Sequence, residues 1–274
     1  MLSEVVAGIR VLALRTPTLP PATHTNCVVL GLEEIVLWDP ATPWDDERAR
    51  LGAEVDALQA AGAVVREIWL SHHHGDHVGA AMWLAQRLGV PLAAHERTAA
   101  LIGFPVDRQV RDGEVLVLGA LRFHAIHTPG HASGHLCLWE PASRTLVAGD
   151  MLAGVGTIII DPPDGDMALY LGSLARLRAL DPAVAVPAHG EPIHSAVAKI
   201  DEYVRHRLWR EVRILDALRA HTGPAFAADL VPAVYTDVPA ALFPLAERSL
   251  LAHLEKLVKD AKAARYVDRF EALS

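Results

Sequence analysis

The chain has 274 residues, 51% of them hydrophobic and 21% charged, with a formal net charge of −8. That composition is globular and excludes a disordered chain, and the length suits one large domain or a domain with an appendage. No apolar run approaches the roughly 18 residues of a membrane span, and Met1–Val5 shows no basic segment leading into an apolar core, so neither a membrane protein nor a signal peptide is expected.

The charge is uneven. Residues 1–194 carry 13 Lys and Arg against 22 Asp and Glu, while residues 195–274 carry 12 against 11. Nucleic-acid binders usually present a basic surface, and this balance disfavours RNA as a partner. Cys27 and Cys137 lie in apolar runs. They predict buried thiols in a reducing, cytoplasmic setting, not a disulfide framework.

In chain order, Gly8–Leu14 predicts a first strand, followed by a proline-marked loop at Pro17, Pro20 and Pro21. Thr25–Leu30 and Glu34–Asp39 predict a hairpin turning at Gly31. Asp45 or Asp46 can cap a helix that runs to Ala61, where Gly62 stops it. Ala63–Leu70 predicts a buried strand, and an apolar helix pattern follows over 78–88. Pro91–His95 is a short strand, Glu96–Ile102 a short helix, and 109–118 a turn-rich stretch with short strands. Leu121–Ile126 alternates as a strand should, as do 136–139 and 145–148. A helix over about 166–180 leads to the strand Ala183–Val186. Helices over 196–220, 227–235 and about 240–262 follow, and Arg265–Val267 reads as a closing strand.

Between the strand at 63–70 and the next helix lies Ser71-His72-His73-His74-Gly75-Asp76-His77. Histidine and carboxylate are the ligands of a borderline metal such as zinc. A His-rich tract can be an adventitious binder or a tag remnant, but this one is internal and framed by regular structure. His131 (in Thr128-Pro129-Gly130-His131), Asp150 and His189 also follow predicted strands. Residues at one end of neighbouring strands meet on one edge of a sheet, as in α/β enzymes. His72, His74 and His131 form one candidate set, leaving a fourth position open on a tetrahedral zinc. Asp76, His77 and His189 form a second set, with Asp150 placed to bridge two ions. A water shared by two such cations ionises near neutral pH and attacks a carbonyl or a phosphorus centre. His73 is expected to point away from the metals, and Trp69 and Trp83 to belong to the core.

The pattern His72/His74/Asp76/His77, Thr128–His131, Gly149-Asp150 and His189-Gly190 resembles the metallo-β-lactamase superfamily over roughly residues 8–195. All seven family ligand positions are filled in order. The resemblance implies an α/β fold, a four-layer αβ/βα sandwich over residues 1–194 with metals at one edge, and a hydrolase. His206-Arg207 and Arg210-Glu211 resemble the mainly helical winged-helix-like C-terminal domain of the beta-lactamase-like protein 2 subfamily, here residues 195–274. Ala263-Ala264 stand where that subfamily carries a glycine, which argues against a tight turn and a long wing. The subfamily includes a single-strand-specific endoribonuclease and thioesterases acting on carrier-bound polyketides. The expected activity is therefore a dinuclear zinc hydrolase using a metal-bridging hydroxide, with Asp76 orienting it, on a small-molecule or carrier-bound thioester or ester. Alternatives are RNA cleavage, or a mononuclear iron persulfide dioxygenase using His72, His131 and Asp150. Iron or manganese could replace zinc. His135 is a candidate substrate contact or a support behind the ligands, or else an ordinary strand-edge histidine; His206 and Arg207 are candidate substrate contacts or partners of acidic neighbours; His24 and Asn26 could line the mouth of the site.

Overall fold

The computed structural model describes residues 1–273. Two sheets face each other. The first holds β1 (Ser3–Val6), β2 (Ile9–Arg15), β3 (His24–Gly31), β4 (Glu34–Trp38), β5 (Val64–Leu70), β6 (Leu92–Ala94) and β7 (Arg108–Gln109) in that spatial order. β1 to β4 pair antiparallel and β4 to β7 parallel. The second sheet is ordered β12 (Val184–Pro187), β11 (Thr145–Gly149), β10 (Leu136–Glu140), β9 (Leu121–His127), β8 (Val115–Leu118), with only β11 and β12 parallel. The expected layering is present, and β1 extends the first sheet beyond the sequence reading.

Both faces of the first sheet are buried, and the period-2 alternation shows it. Ile9, Val11, Val28, Leu30, Val36, Trp38 and Trp69 point between the sheets, where they meet Phe123, Leu136, Leu138 and Val147 of the second. Leu12, Leu14, Cys27, Val29, Ile35 and Leu37 point outward, against the helices α1 (Asp45–Ala60) and α3 (Ala81–Leu88). The second sheet is covered by α5 (Met167–Ala179) and by the first half of α6 (Ala196–Ala220), through Tyr170, Leu174, Leu177, Ile200 and Tyr203. Both cysteines are buried free thiols, Trp69 is core, and Trp83 packs half-buried against it.

Local chemistry revises two helix boundaries. The residue capping α1 is Trp44, with no side-chain cap; Asp45, Asp46 and Glu47 fill the first turn. There their charges favour the helix dipole, and Arg15 of β2 binds Asp46 and Glu47. The helix pattern at 78–88 is two pieces, α2 (Gly75–Val78) and α3, with α4 (Glu96–Leu101) after them. The short α2 carries Asp76 and His77.

The second half of α6 enters a separate apolar cluster with α7 (Ala227–Val234), α8 (Phe243–Lys259) and a three-stranded sheet, β13 (Ala225–Phe226), β15 (Arg269–Ala272), β14 (Ala263–Tyr266). The expected closing strand is the first of two: a bonded turn at Ala261 and Lys262 leads into β14 without a glycine, and β14 and β15 form a hairpin through Val267 and Asp268, with Val267 at φ 61°. Arg210 and Glu211 tie this region together. Arg210 donates to the Val234 carbonyl (2.8 Å) and grips Asp237 through two bonds of 2.9 Å. Glu211 pairs with Lys256 of α8 at 2.9 Å. Among the described residues, no helix is long and apolar enough to cross a membrane.

α1 and α8 end in the same bonded turn. At α1, Ala63 N–H donates to Leu58 O (3.0 Å) and Gly62 N–H to Gln59 O (2.9 Å); at α8, Lys262 N–H donates to Leu257 O (2.9 Å) and Ala261 N–H to Val258 O (3.0 Å). This closure puts the residue after the cap in the left-handed region, where glycine is favoured. Gly62 sits there at φ 97°, but at α8 the residue is Ala261, at φ 56°. Ala261→Gly is expected to stabilise the protein by roughly 0.5–1 kcal/mol, because relief of the Cβ clash exceeds the added unfolded-state entropy. Thermal unfolding of the two forms would check the sign; a lower melting temperature for the glycine form would contradict it.

Candidate metal centre

Every candidate ligand leaves the same edge of the sandwich. His72, His74, Asp76 and His77 follow β5, His131 follows β9, Asp150 follows β11 and His189 follows β12. The strands themselves are buried and rigid, so the loops inherit a fixed spacing.

His72 Nε2, His74 Nδ1 and His131 Nε2 lie 2.9, 3.0 and 3.2 Å apart. The edge of a tetrahedron around zinc with bonds of about 2.0 Å is about 3.3 Å, so three nitrogens at these spacings match three corners. Two of the three tautomers are set from behind. His131 Nδ1 donates to the Ile159 carbonyl at 2.8 Å. Asp39 accepts the Ser71 hydroxyl at 2.6 Å and the Ser71 N–H at 2.7 Å, which leaves Ser71 Oγ to accept from His72 Nδ1 at 2.9 Å. The opposite nitrogens of both rings therefore present bare lone pairs to the centre. Burial first, then mutual repulsion among the rings, pushes His72 well below the ordinary imidazole value and His74 down to about 3. These imidazoles stay neutral, which is the ligating form.

The second set is arranged alike. His77 Nδ1 donates to Asp39 at 3.0 Å, and His189 Nδ1 donates to the His24 carbonyl at 3.0 Å. His189 Nε2 then faces Asp76 Oδ2 at 3.6 Å, and His77 Nε2 faces Asp76 Oδ1 at 4.0 Å. Asp150 stands between the sets: Oδ2 lies 3.4 Å from His131 and 3.5 Å from His77, and Oδ1 lies 3.4 Å from His189. His77 Nε2 and Asp150 Oδ1 are buried with no hydrogen-bond partner. Buried polar atoms are rarely left so, and electron-rich atoms gathered this closely, His77 Nε2 against Asp150 Oδ2 and His189 Nε2 against Asp150 Oδ1, need a cation among them. The His77 ring makes the same point. Burial alone would lower its pKa, yet the Asp150 and Asp76 carboxylates outweigh burial and raise it well above the usual value. The donor set thus fits divalent metal: His72, His74 and His131 in one group, Asp76, His77 and His189 in another, and Asp150 against both.

His135 does not reach the substrate side. It is fully buried, its Nε2 accepts the Asp150 N–H at 3.0 Å, and its Nδ1 bonds Thr128 Oγ1 at 2.8 Å. It holds Asp150 from beneath instead of touching a ligand from above. A Cβ on Gly149 would stand 2.6 Å from His135 Nε2, and Gly149 also has φ 50°, so glycine is required between strand and aspartate. His73 lies outside both sets, 3.9 Å from Asp164. Asn26 braces the His189 loop, donating to Pro187 O at 2.9 Å and Gly190 O at 2.8 Å. The supporting roles of Asp39, Ser71 and Thr128 escaped the sequence reading, and Asn26, expected at the mouth of the site, braces the His189 loop instead. Asp39 did leave a trace, being an acid at the end of a predicted strand on the same edge.

The centre opens into a cavity of about 770 Å³. His74, Asp76, His131, Asp150 and His189 form its floor. Thr18 to Ala22 and the loop around Ile158 form its sides. His206, Arg207 and Arg210 of α6, with Tyr235, Leu242 and Leu245, form the wall opposite.

The model of the metallo-beta-lactamase superfamily matches residues 20–189, and that of the beta-lactamase associated winged helix domain matches residues 227–269. A beta-lactamase-like protein 2 homolog of Caenorhabditis elegans is 30% identical over 241 residues, covering 86% of this chain and 79% of the relative. An atrochrysone carboxyl ACP thioesterase of Aspergillus chevalieri is 31% identical over 261 residues, covering 88% and 77%. A beta-lactamase domain protein from Burkholderia ambifaria superposes with a TM-score of 0.88 at 22% identity, covering 99% of this chain and 93% of that one. The chain belongs to the metallo-β-lactamase superfamily of hydrolases, with a beta-lactamase-associated winged-helix domain closing its sequence.

Proposed function

We propose that this protein hydrolyses an acyl thioester or ester, either as a small molecule or on a carrier, with two zinc ions held by the seven residues above. The observation that carries the reading is the cavity. Its floor is the metal centre, and its far wall mixes apolar side chains such as Leu242, Leu245 and Val238 with a few arginines. An acyl chain fits such a wall, whereas RNA would require a continuous basic track. The named thioesterase among the relatives agrees with this choice.

Bound divalent ions would supply Lewis acidity and lower the pKa of water near neutrality. The chain's own residues do the rest. Asp76 lines the cavity. Burial opposes its charge, but His77, His189 and the Thr18 hydroxyl outweigh it, so its carboxyl lies below the ordinary value. Ionised, Asp76 accepts a hydrogen bond from the attacking water and turns the lone pair toward the acyl carbon. Asp150 holds the two histidine groups at one spacing, and His135 holds Asp150. Residues 1–194 form the catalytic part in this reading, and 195–274 supply the wall that sorts substrates, with His206 and Arg207 facing them.

Turnover by the zinc-loaded protein on a short acyl thioester and on a fluorescent single-stranded RNA would test the choice. Thioester cleavage alone is expected, and RNA cleavage alone would overturn it. With zinc in saturating excess, Asp76→Asn should lose about 100-fold or more in kcat, within the usual range for a positioned proton acceptor. Asp150→Ala should bind at most one ion per chain, measured by elemental analysis after dialysis; two tightly held ions would remove its bridging role. Asp39→Asn, which touches no metal position, should weaken metal binding by about 10- to 100-fold in a chelator competition. Elemental analysis of the protein as purified also separates zinc from iron, and a single iron per chain would favour redox chemistry.

A further inference from the structure

The cavity wall holds a charge that nothing balances. Arg207 is 5% exposed and lines the cavity above the metal centre. Its guanidinium donates to the Ile158 carbonyl, its Nε has no partner, and its face lies over the Tyr170 ring with 5.5 Å between Cζ and the centroid. Among the described residues, no carboxylate comes within ion-pair distance of it. The other cations of this wall are all paired. Arg210 has Asp237 at 2.9 Å, Arg248 has Asp161 at 3.1 Å, and Lys199 has Glu202 at 2.9 Å. Glu211, one turn further along α6, is taken by Lys256 at 2.9 Å. A buried charge without a counterion is costly, and proteins keep one where a ligand supplies the counterion.

Two neighbours register the excess. His206 and His253 are both pushed down, by burial first; the Arg207 charge lowers His206 next, and it lowers His253, at about 4, against the pull of Glu211. The space beside Arg207 is also divided. A smaller cavity of about 190 Å³, lined by Lys199, Tyr203 and Glu202, shares Gly156, Thr157, His206 and Arg207 with the main one. Arg207 therefore stands where the two cavities meet, with the metal centre on one side.

Resting on the thioester reading above, we propose that Arg207 receives an anionic group of the substrate, a carboxylate or a phosphate, while the scissile bond lies over the metal centre. The carboxylate would sit on the acyl part and the phosphate on the thiol part. A guanidinium binds either through two parallel bonds, and His206 borders the same space. The substrate class is thus a charged acyl thioester, and a neutral one is a poor substrate.

Three thioesters separate the cases: butyryl-N-acetylcysteamine, neutral; succinyl-N-acetylcysteamine, charged on the acyl side; and butyryl-phosphopantetheine, charged on the thiol side. With wild type, kcat/KM for one charged thioester should exceed that for the neutral one by about 10- to 100-fold, the usual worth of a charge-assisted pair. Arg207→Gln should bring that ratio to near one, and Arg207→Lys should restore part of it. Which charged thioester wins identifies the source of the anion. Loss of the Ile158 contact alone would slow all three alike and leave the ratio intact, which would overturn the proposal. So would a wild-type ratio near one. If no thioester is cleaved, the thioester reading fails, and Arg207 is judged by binding. Calorimetry with succinate and with inorganic phosphate on the metal-loaded protein should show one of them weakened at least tenfold by Arg207→Gln; equal binding of both by the two proteins would reject the site.

Discussion

The structure depends on one constraint: lone pairs of like character must face one another across a small, buried space. Imidazole nitrogens and carboxylate oxygens do not converge unaided. Four of the five rings are held from the far side, His131 by the Ile159 carbonyl, His189 by the His24 carbonyl, and His72 and His77 through Ser71 and Asp39. Asp39 is the hub of this scaffold. One buried carboxylate accepts three donors and so fixes the orientation of two rings that belong to different ligand groups. The strands supply the distances, and this outer layer of acceptors supplies the directions. Spacing without direction would give a cluster of histidines with no preferred partner.

Helix α6 gives the second organising fact. Its first half contributes Ile200 and Tyr203 to the core behind the second sheet, and its second half contributes Ile214 and Leu218 to the C-terminal core. Between them, His206, Arg207 and Arg210 face the cavity. One rod of backbone therefore sets the distance between the metal floor and the substrate wall. Tyr203 adds a direct link, since its hydroxyl accepts the Ala153 N–H at 3.1 Å, close to Asp150 in sequence. The helix that packs behind the second sheet thus also carries the cavity-lining His206, Arg207 and Arg210.

Much of this was legible in the sequence, for identifiable reasons. The strands and the ligand residues at the ends of β5, β9, β11 and β12 could be read from the residues themselves, whereas the layering came only with the resemblance to the family. The order of histidines and aspartates then carried the resemblance to the family. What escaped was the chemistry of support. Ser71 and Asn26 are ordinary polar residues, and only their partners in space give them a role. His135, four residues beyond His131, could be read as a support or a substrate contact; three-dimensional burial, which spacing cannot express, decided for the support under Asp150. The cap of α1 was misread for a related reason. An acid before a helix suits both the cap and the first turn, and Arg15 from a distant strand helps hold Asp46 and Glu47 in the turn.

The sharing of α6 between two cores has an evolutionary corollary. A module that can be exchanged between proteins needs a seam that few contacts cross. Here the seam would run through the middle of a 25-residue helix, with apolar side chains committed on both sides. Grafting a foreign C-terminal region onto this sandwich would require inheriting Ile200, Tyr203 and Arg207 along with it. Point changes along the cavity-lining side of α6 would leave both cores intact, whereas exchange of the whole C-terminal region would cut through a packed helix.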